Sequence, residues 1–138
     1  LGGWTRVNAS ANFNLVTNAA NALSAPSYFL MNALVGQTNN YWLISPEISL
    51  ENSADYIITF NFRTSSASAN RTLTLTLGTS EDPSTHTQII AAETALNSNP
   101  SYSAFTYSFT VPTSGQYYIG LHDTSVGVIN NSLRIDNF

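Results

Sequence analysis

Apolar side chains in this chain return at every second residue. That period belongs to extended backbone, in which successive residues point to opposite faces and alternate positions line one face. Leu73, Leu75 and Leu77 alternate with Thr72, Thr74 and Thr76. The pattern also runs through Tyr56, Ile58, Phe60 and Phe62, through Phe105, Tyr107, Phe109 and Val111, and through Tyr117, Ile119 and Leu121. Shorter or interrupted alternation predicts further strands at Tyr28 to Leu34, Trp42 to Ile44, Thr87 to Ala92 and Leu133 to Phe138. Turn-forming residues separate them at Glu51 to Asp55, Ser65 to Asn70, Ser80 to Thr85, Asn97 to Ser101 and Pro112 to Gly115. Short strands with turns at this rhythm describe an all-β sandwich or barrel. Asn18 to Leu23 bears alanines but is short and ringed by asparagines, so it reads as loop. Pro46 lacks the N–H a ladder needs and should end the strand before it or lie at an edge or bulge.

With 138 residues, 43% of them hydrophobic and 12% aromatic, the chain can fill one core. No linker divides it, so residues 1–138 read as a single domain. Only 9% of residues are charged, against roughly 25% in an average soluble protein, and Ser, Thr and Asn supply the polar surface. There is no lysine; the basic residues are Arg6, Arg63, Arg71 and Arg134. Such a composition fits an extracellular β module and predicts a secreted or cell-surface setting. A net charge of −4 with scattered arginines offers no basic stripe for a phosphate backbone, so nucleic acid is not an expected partner. The absence of cysteine removes disulfides, thiolate metal sites and a cysteine nucleophile. No apolar run approaches the roughly 20 residues of a membrane-spanning helix. Leu1-Gly2-Gly3-Trp4 does not resemble a signal peptide, and the expectation is a module excised from a larger multidomain protein.

Three stretches together resemble the cleaved-adhesin or choice-of-anchor J domains of secreted Bacteroidetes proteins, including the adhesin modules of gingipains. Tyr41-Trp42-Leu43-Ile44-Ser45-Pro46-Glu47-Ile48-Ser49-Leu50 is similar to that family's strand and turn, and is the most specific of the three. Gly115-Gln116-Tyr117-Tyr118-Ile119-Gly120-Leu121-His122 resembles a later strand, and Leu133-Arg134-Ile135-Asp136-Asn137-Phe138 the closing one. The resemblance covers Tyr41 to Phe138 and implies a jelly-roll β-sandwich of two antiparallel sheets, like that of MAM domains and many carbohydrate-binding modules. Gly3-Trp4-Thr5 matches the family's Gly-Trp element, but Asn8 to Asn14 supplies asparagines where the family has an aspartate-rich loop, and its preceding "F-E" strand is absent. The resemblance also implies a structural calcium, with Asp136 as the carboxylate that carries over. The plainer alternative makes Asp136 a polar residue on a terminal strand, hydrogen-bonded to a turn.

Residues that carry chemistry are few. His122-Asp123 would suit a hydrolytic triad only if both side chains met a serine, yet neighbours on a strand point to opposite faces. His86 lies far off in a polar loop, and no G-x-S-x-G elbow exists. The acids Glu47, Glu51, Asp55, Glu81, Asp82, Glu93, Asp123 and Asp136 fall mostly in turns, and their spacing names no glycosidase pair. Tyr41, Trp42, Tyr117 and Tyr118 are candidates for an aromatic platform that stacks on sugar rings. Phase makes Trp42 and Tyr117 the inward residues and leaves Tyr41 and Tyr118 as the exposed rings for ligand binding. The sequons at Asn8, Asn70 and Asn130 arise easily in a chain so rich in Asn, Ser and Thr.

These readings describe a non-catalytic adhesion or binding module. Its partner would be a glycan, an extracellular protein or a neighbouring domain of the parent chain, met through loops or one sheet face. The alternative is a structural spacer that stabilises a catalytic or anchoring domain; a hydrolase is the weakest reading.

Overall fold

A computed structural model describes residues 3–65, 71–97, 101–127 and 131–138, with the Glu93 side chain left out. The expected turns at Ser65 to Asn70 and Asn97 to Ser101, and the sequon asparagines Asn70 and Asn130, fall wholly or partly outside the described residues. The strands are β1 (Thr5–Val7), β2 (Phe13–Thr17), β3 (Ser27–Asn32), β4 (Tyr41–Ile44), β5 (Ile48–Leu50), β6 (Tyr56–Thr64), β7 (Arg71–Gly78), β8 (Gln88–Leu96), β9 (Ser103–Phe109), β10 (Gly115–Asp123) and β11 (Ser132–Asp136). Among the described residues the helical structure is one 3-10 turn, Pro83–Thr85, and no helix is long and apolar enough to cross a membrane.

The strands form two antiparallel sheets. One has six strands in the order β1-β4-β10-β7-β8, with β5 also paired to β10; the other has five in the order β2-β3-β11-β6-β9. Each expected strand is present, with shifts of a few residues at its ends. Strands β1, β2 and β5 have no counterpart in the sequence reading, because three residues cannot display a period and because Phe13 is the one fully buried residue of β2. Pro46 does end β4. Asn18 to Leu23 is a loop whose turn is closed by Ala22 N–H donating to the Asn18 carbonyl, 3.1 Å.

Inward rows from both sheets meet in one cluster. It takes Leu73, Leu75 and Leu77 from β7, Leu43 from β4, Tyr117 and Leu121 from β10, Phe60 from β6, and Leu133 and Ile135 from β11. The phase of β4 is the reverse of the expected one. Tyr41 is 4% exposed and faces the interior, pairing across the sheet with Asp123 while Leu43 pairs with Leu121. Trp42 stands on the outer face opposite His122. All four β4 residues are buried, so hydrophobicity carried no alternation from which to choose, and the pairing with β10 decided the direction.

The inward row of β7 begins with a charge. Arg71 continues the phase of Leu73, Leu75 and Leu77 and is fully buried, and Asp123 extends the inward row of β10 beside it. Arg71 Nη2 donates to Asp123 Oδ2, with neither side chain exposed to solvent. Asn39 Nδ2 donates to the same oxygen at 2.8 Å, Ser125 N–H donates to Asp123 Oδ1 at 3.0 Å, and Arg71 Nη1 donates to the Asn131 carbonyl at 2.9 Å. Asn39 Oδ1 in turn accepts from Leu34 N–H at 3.1 Å. Removing one member of a buried ion pair strands the other charge, whereas an apolar pair of similar volume restores packing. Asp123→Ala should therefore lower the unfolding free energy by about 3–5 kcal/mol, and the double variant Arg71→Met/Asp123→Leu should lose less. Urea denaturation of the three proteins checks the order; a double variant weaker than the single one contradicts it.

Candidate functional site

The outer face of the six-stranded sheet is where the outward phase gathers rings. Along β10 the outward residues are Tyr118, Gly120 and His122; opposite them on β7 lie Gly78, Thr76 and Thr74, and on β4 lie Ile44 and Trp42. Gly78 and Gly120 leave a hollow in this face, and His86 fills it. The loop after β7 turns back through Pro83–Thr85, where Asp82 caps the turn by accepting from Ser84 N–H at 2.9 Å. His86 thereby lands flat on the two glycines: a Cβ at Gly78 would sit 2.5 Å from His86 Cδ2, and one at Gly120 2.6 Å from Nδ1. His86, expected in a polar loop far off from His122 and Asp123, is 7% exposed and belongs to this face.

Hydrogen bonds set the protonation of both imidazoles. His86 Nε2 lies 3.1 Å from the Ser80 carbonyl, which only accepts, so Nε2 carries the proton and Nδ1 receives the Thr76 hydroxyl at 3.0 Å. His122 Nε2 donates to Asn40 Oδ1 at 2.9 Å, and Trp42 Nε1 donates to the same oxygen at 3.1 Å. Trp42 stacks on His122 with ring centroids 3.9 Å apart and planes 11° from parallel, and His86 lies 5.5 Å from Trp42. Burial pushes both imidazoles below their ordinary pKa. The Ser80 carbonyl and Asp82 oppose the shift at His86, and Asp123 opposes it at His122.

At the other end of the strip Tyr118 is half-buried, its hydroxyl donating to Glu47 Oε2 at 3.1 Å. That hydrogen bond, followed by burial and the charges of Glu47 and Glu81, raises the phenol pKa. Thr5 Oγ1 donates to Glu81 Oε2 at 2.8 Å, tying β1 to the loop that carries His86. From Tyr118 to His122 the strip runs roughly 13 Å along the strand. No arginine reaches it: Arg6 Nη1 donates to the Phe13 carbonyl and Asn14 Oδ1, Arg71 is interior, and Arg63 and Arg134 pair with each other's position across β6 and β11 in the other sheet.

The sequence-derived candidates divide accordingly. Tyr118 is on the strip; Tyr41 is not, since its ring packs 5.3 Å from Phe13 in the interior. Tyr117 is inward as expected. His122 and Asp123 do point to opposite faces, His122 to Asn40 and Asp123 to Arg71, so no triad forms. Asp136 lies in the other sheet, 2% exposed; its Oδ2 accepts from Leu23 and Ser24 N–H at 2.8 and 3.0 Å and its Oδ1 from Asn137 N–H at 2.8 Å. Among the described residues no three His, Cys, Asp or Glu side chains gather. Asn40 escaped the sequence reading, and His86 was set aside in it. The available signal was glycine at 78 and 120 within strands, which often marks close approach by another group.

A cleft of about 440 Å³ lies elsewhere, between the sheets, lined by Trp4, Ile48, Leu50, Tyr56, Phe109 and Phe138 among others. Its walls are largely apolar, with Ser45 and Thr59 as the polar side chains without a ring.

Because burial holds both histidines neutral in the folded state, the unfolded chain binds more protons once pH drops below the ordinary imidazole value near 6.5. Their stabilising contribution is complete above that value and is lost as pH descends toward the lowered folded pKa. The thermal midpoint should fall between about pH 7.5 and about pH 5.5, and fall less in His86→Gln. A midpoint independent of pH across that window would contradict the assignment.

No family model matches the chain, and no curated protein matches its sequence. Solved structures do. The K1 cleaved adhesin domain of Lys-gingipain from Porphyromonas gingivalis W83 superposes with a TM-score of 0.73 at 15% identity, covering 99% of this chain and 88% of that one. TmCBM61 in complex with β-1,4-galactotriose gives 0.68 at 11% identity, covering 98% and 85%. The CBM22-1 xylan-binding domain of Paenibacillus barcinonensis Xyn10C gives 0.60 at 14%, covering 99% and 83%. At these identities the likeness establishes the fold: the chain is a jelly-roll β-sandwich of two antiparallel sheets, as adhesin and carbohydrate-binding modules are.

Proposed function

We propose that this chain is a non-catalytic binding module that recognises a neutral glycan on the outer face of its six-stranded sheet. One observation carries the reading: Tyr118, His86, Trp42 and His122 form a ring-lined strip whose polar atoms are fixed and uncharged in its centre. Tyr118 and His122, both half-buried, are the accessible rings, and buried Trp42 stacks on His122 with His86 beside it. Aromatic faces meet the C–H surfaces of pyranose rings. Asn40, Glu47 and Glu81 offer acceptors at the edges of the strip for sugar hydroxyls. Glu47 and Glu81 with no cation nearby repel carboxylated or sulfated chains, so the ligand is uncharged. The structural likeness to a galactotriose-bound module and a xylan-binding domain supports the class of partner without naming the sugar.

Kinship with the cleaved-adhesin and choice-of-anchor J domains belongs to the same proposal, as do a secreted or cell-surface setting, attachment as one module of a longer protein and the lack of catalysis. So does calcium: a rise in thermal midpoint with calcium that chelator reverses would support a structural ion, and an unchanged midpoint would leave Asp136 as the anchor of the Leu23–Ser24 turn.

Binding is tested on an array holding neutral, uronic and sulfated glycans. Neutral chains should bind and anionic ones should not. Tyr118→Ala should weaken binding roughly three- to tenfold, the worth of one aromatic contact, with the melting temperature little changed. Tyr41→Phe, in the interior, should leave binding intact. An array silent throughout, or binding untouched by Tyr118→Ala, would remove this face as the site.

A further inference from the structure

Sheets leave edges, and an edge strand with free backbone groups is a template for another strand unless it is short, bulged, charged or covered. Most of the edges here have such protection, the three-residue β5 beside β10 among them. Strand β1 is three residues long; β8 is broken by two register shifts against β7; and the edge of β2 is met by Arg6, whose Nη1 donates to the Phe13 carbonyl and Asn14 Oδ1. Strand β9 has none. It pairs with β6 in unbroken register from Tyr56↔Phe109 to Phe62↔Ser103, and no described strand lies on its other side. Its central segment, Ala104-Phe105-Thr106-Tyr107-Ser108, carries neither charge nor proline, and all of it except half-buried Phe105 is exposed.

We infer that the β9 edge joins two copies of this chain, antiparallel about a two-fold axis at Thr106, into one continuous sheet with five strands from each copy. The segment is complementary to itself. Thr106 faces its symmetry mate, Phe105 faces Tyr107 and Ala104 faces Ser108, which places aromatic opposite aromatic and threonine opposite threonine, both favourable cross-strand pairs. The rings are already arranged for this: Phe105 stacks on Phe60 at 4.7 Å, and Tyr107 lies parallel to Phe105 at 6.4 Å with 40% of its surface exposed. On the opposite face Ile57, 66% exposed and paired with Ser108, flanks the same edge. Charge favours this approach as well. Each copy carries a net −4, and screening confines repulsion to roughly 8 Å, so two copies meet at least cost where neither bears a charge. Five residues a side bury less than the roughly 1,200 Å² of a stable interface, so the dimer is reversible.

Sedimentation velocity over a concentration series tests this with wild type, Thr106→Lys, Thr106→Glu and an equal mixture of the two variants. Wild type should move from monomer to dimer as concentration rises; each variant, bringing like charges face to face, should stay monomeric; the mixture should recover the dimer. Circular dichroism confirms that the variants fold, and if Thr106→Lys does not, Thr106→Glu alone carries the comparison. Wild type that is monomeric at every concentration, or a variant that dimerises as wild type does, overturns the inference. A mixture that stays monomeric overturns the axis at Thr106.

Discussion

Arg71 and Asp123 meet at the end of the sandwich where β7 begins and β10 finishes, both without solvent exposure. Two charges withdrawn from water cost several kcal/mol each unless attraction and further hydrogen bonds offset the loss. Here the offset comes from the chain around them: Asn39, Ser125 and the Asn131 carbonyl complete the shell. Each partner belongs to a connection between strands, so satisfying the pair also settles where those connections run. Asn39 leads directly into Asn40 and β4, and Asn40 Oδ1 accepts from both Trp42 and His122 on the outer face. The interior ion pair and the exterior ring strip are thus two sides of the same pair of strands.

Strand alternation makes this coupling possible. Asp123 and His122 are neighbours in sequence and opposites in space, one serving the interior network and the other the ring strip. The same logic operates at β7, where Thr76 supports His86 from outside while Leu75 and Leu77 fill the core. A side chain at position 78 or 120 would close the hollow that His86 occupies. The loop that delivers His86 would then have no seat on the sheet, and Trp42 would lose a neighbour.

Much of the fold was legible where a strand is long and half-buried. Strands β6, β7, β9 and β10 are each seven residues or longer, and each lies close to its expected place. Legibility failed where burial hides the period. Tyr41-Trp42-Leu43-Ile44 is buried on both faces, because the His86 loop and His122 cover the outer side of a strand that would otherwise face water. An expectation built on one wet face therefore put Tyr41 outside and Trp42 inside. Of the candidate site, Tyr118 and the separation of His122 from Asp123 could be read beforehand, since both follow from phase on a single strand. Asn40 and His86 could not: they reach the strip from loops 82 and 36 positions away from His122 along the chain, His86 being the nearer.

What the sequence determined by itself was the class of structure and the chemistry it excludes: period two specifies strands, and a chain without lysine or cysteine and with 9% charge supplies neither a basic surface nor a thiol. What only the tertiary structure decided was which face carries the rings, which acid is buried and which loop closes over which glycine. Phase along a strand is a local property, set by consecutive residues. The identity of the face that is covered depends on partners far along the chain, and those are chosen when the sheets pack.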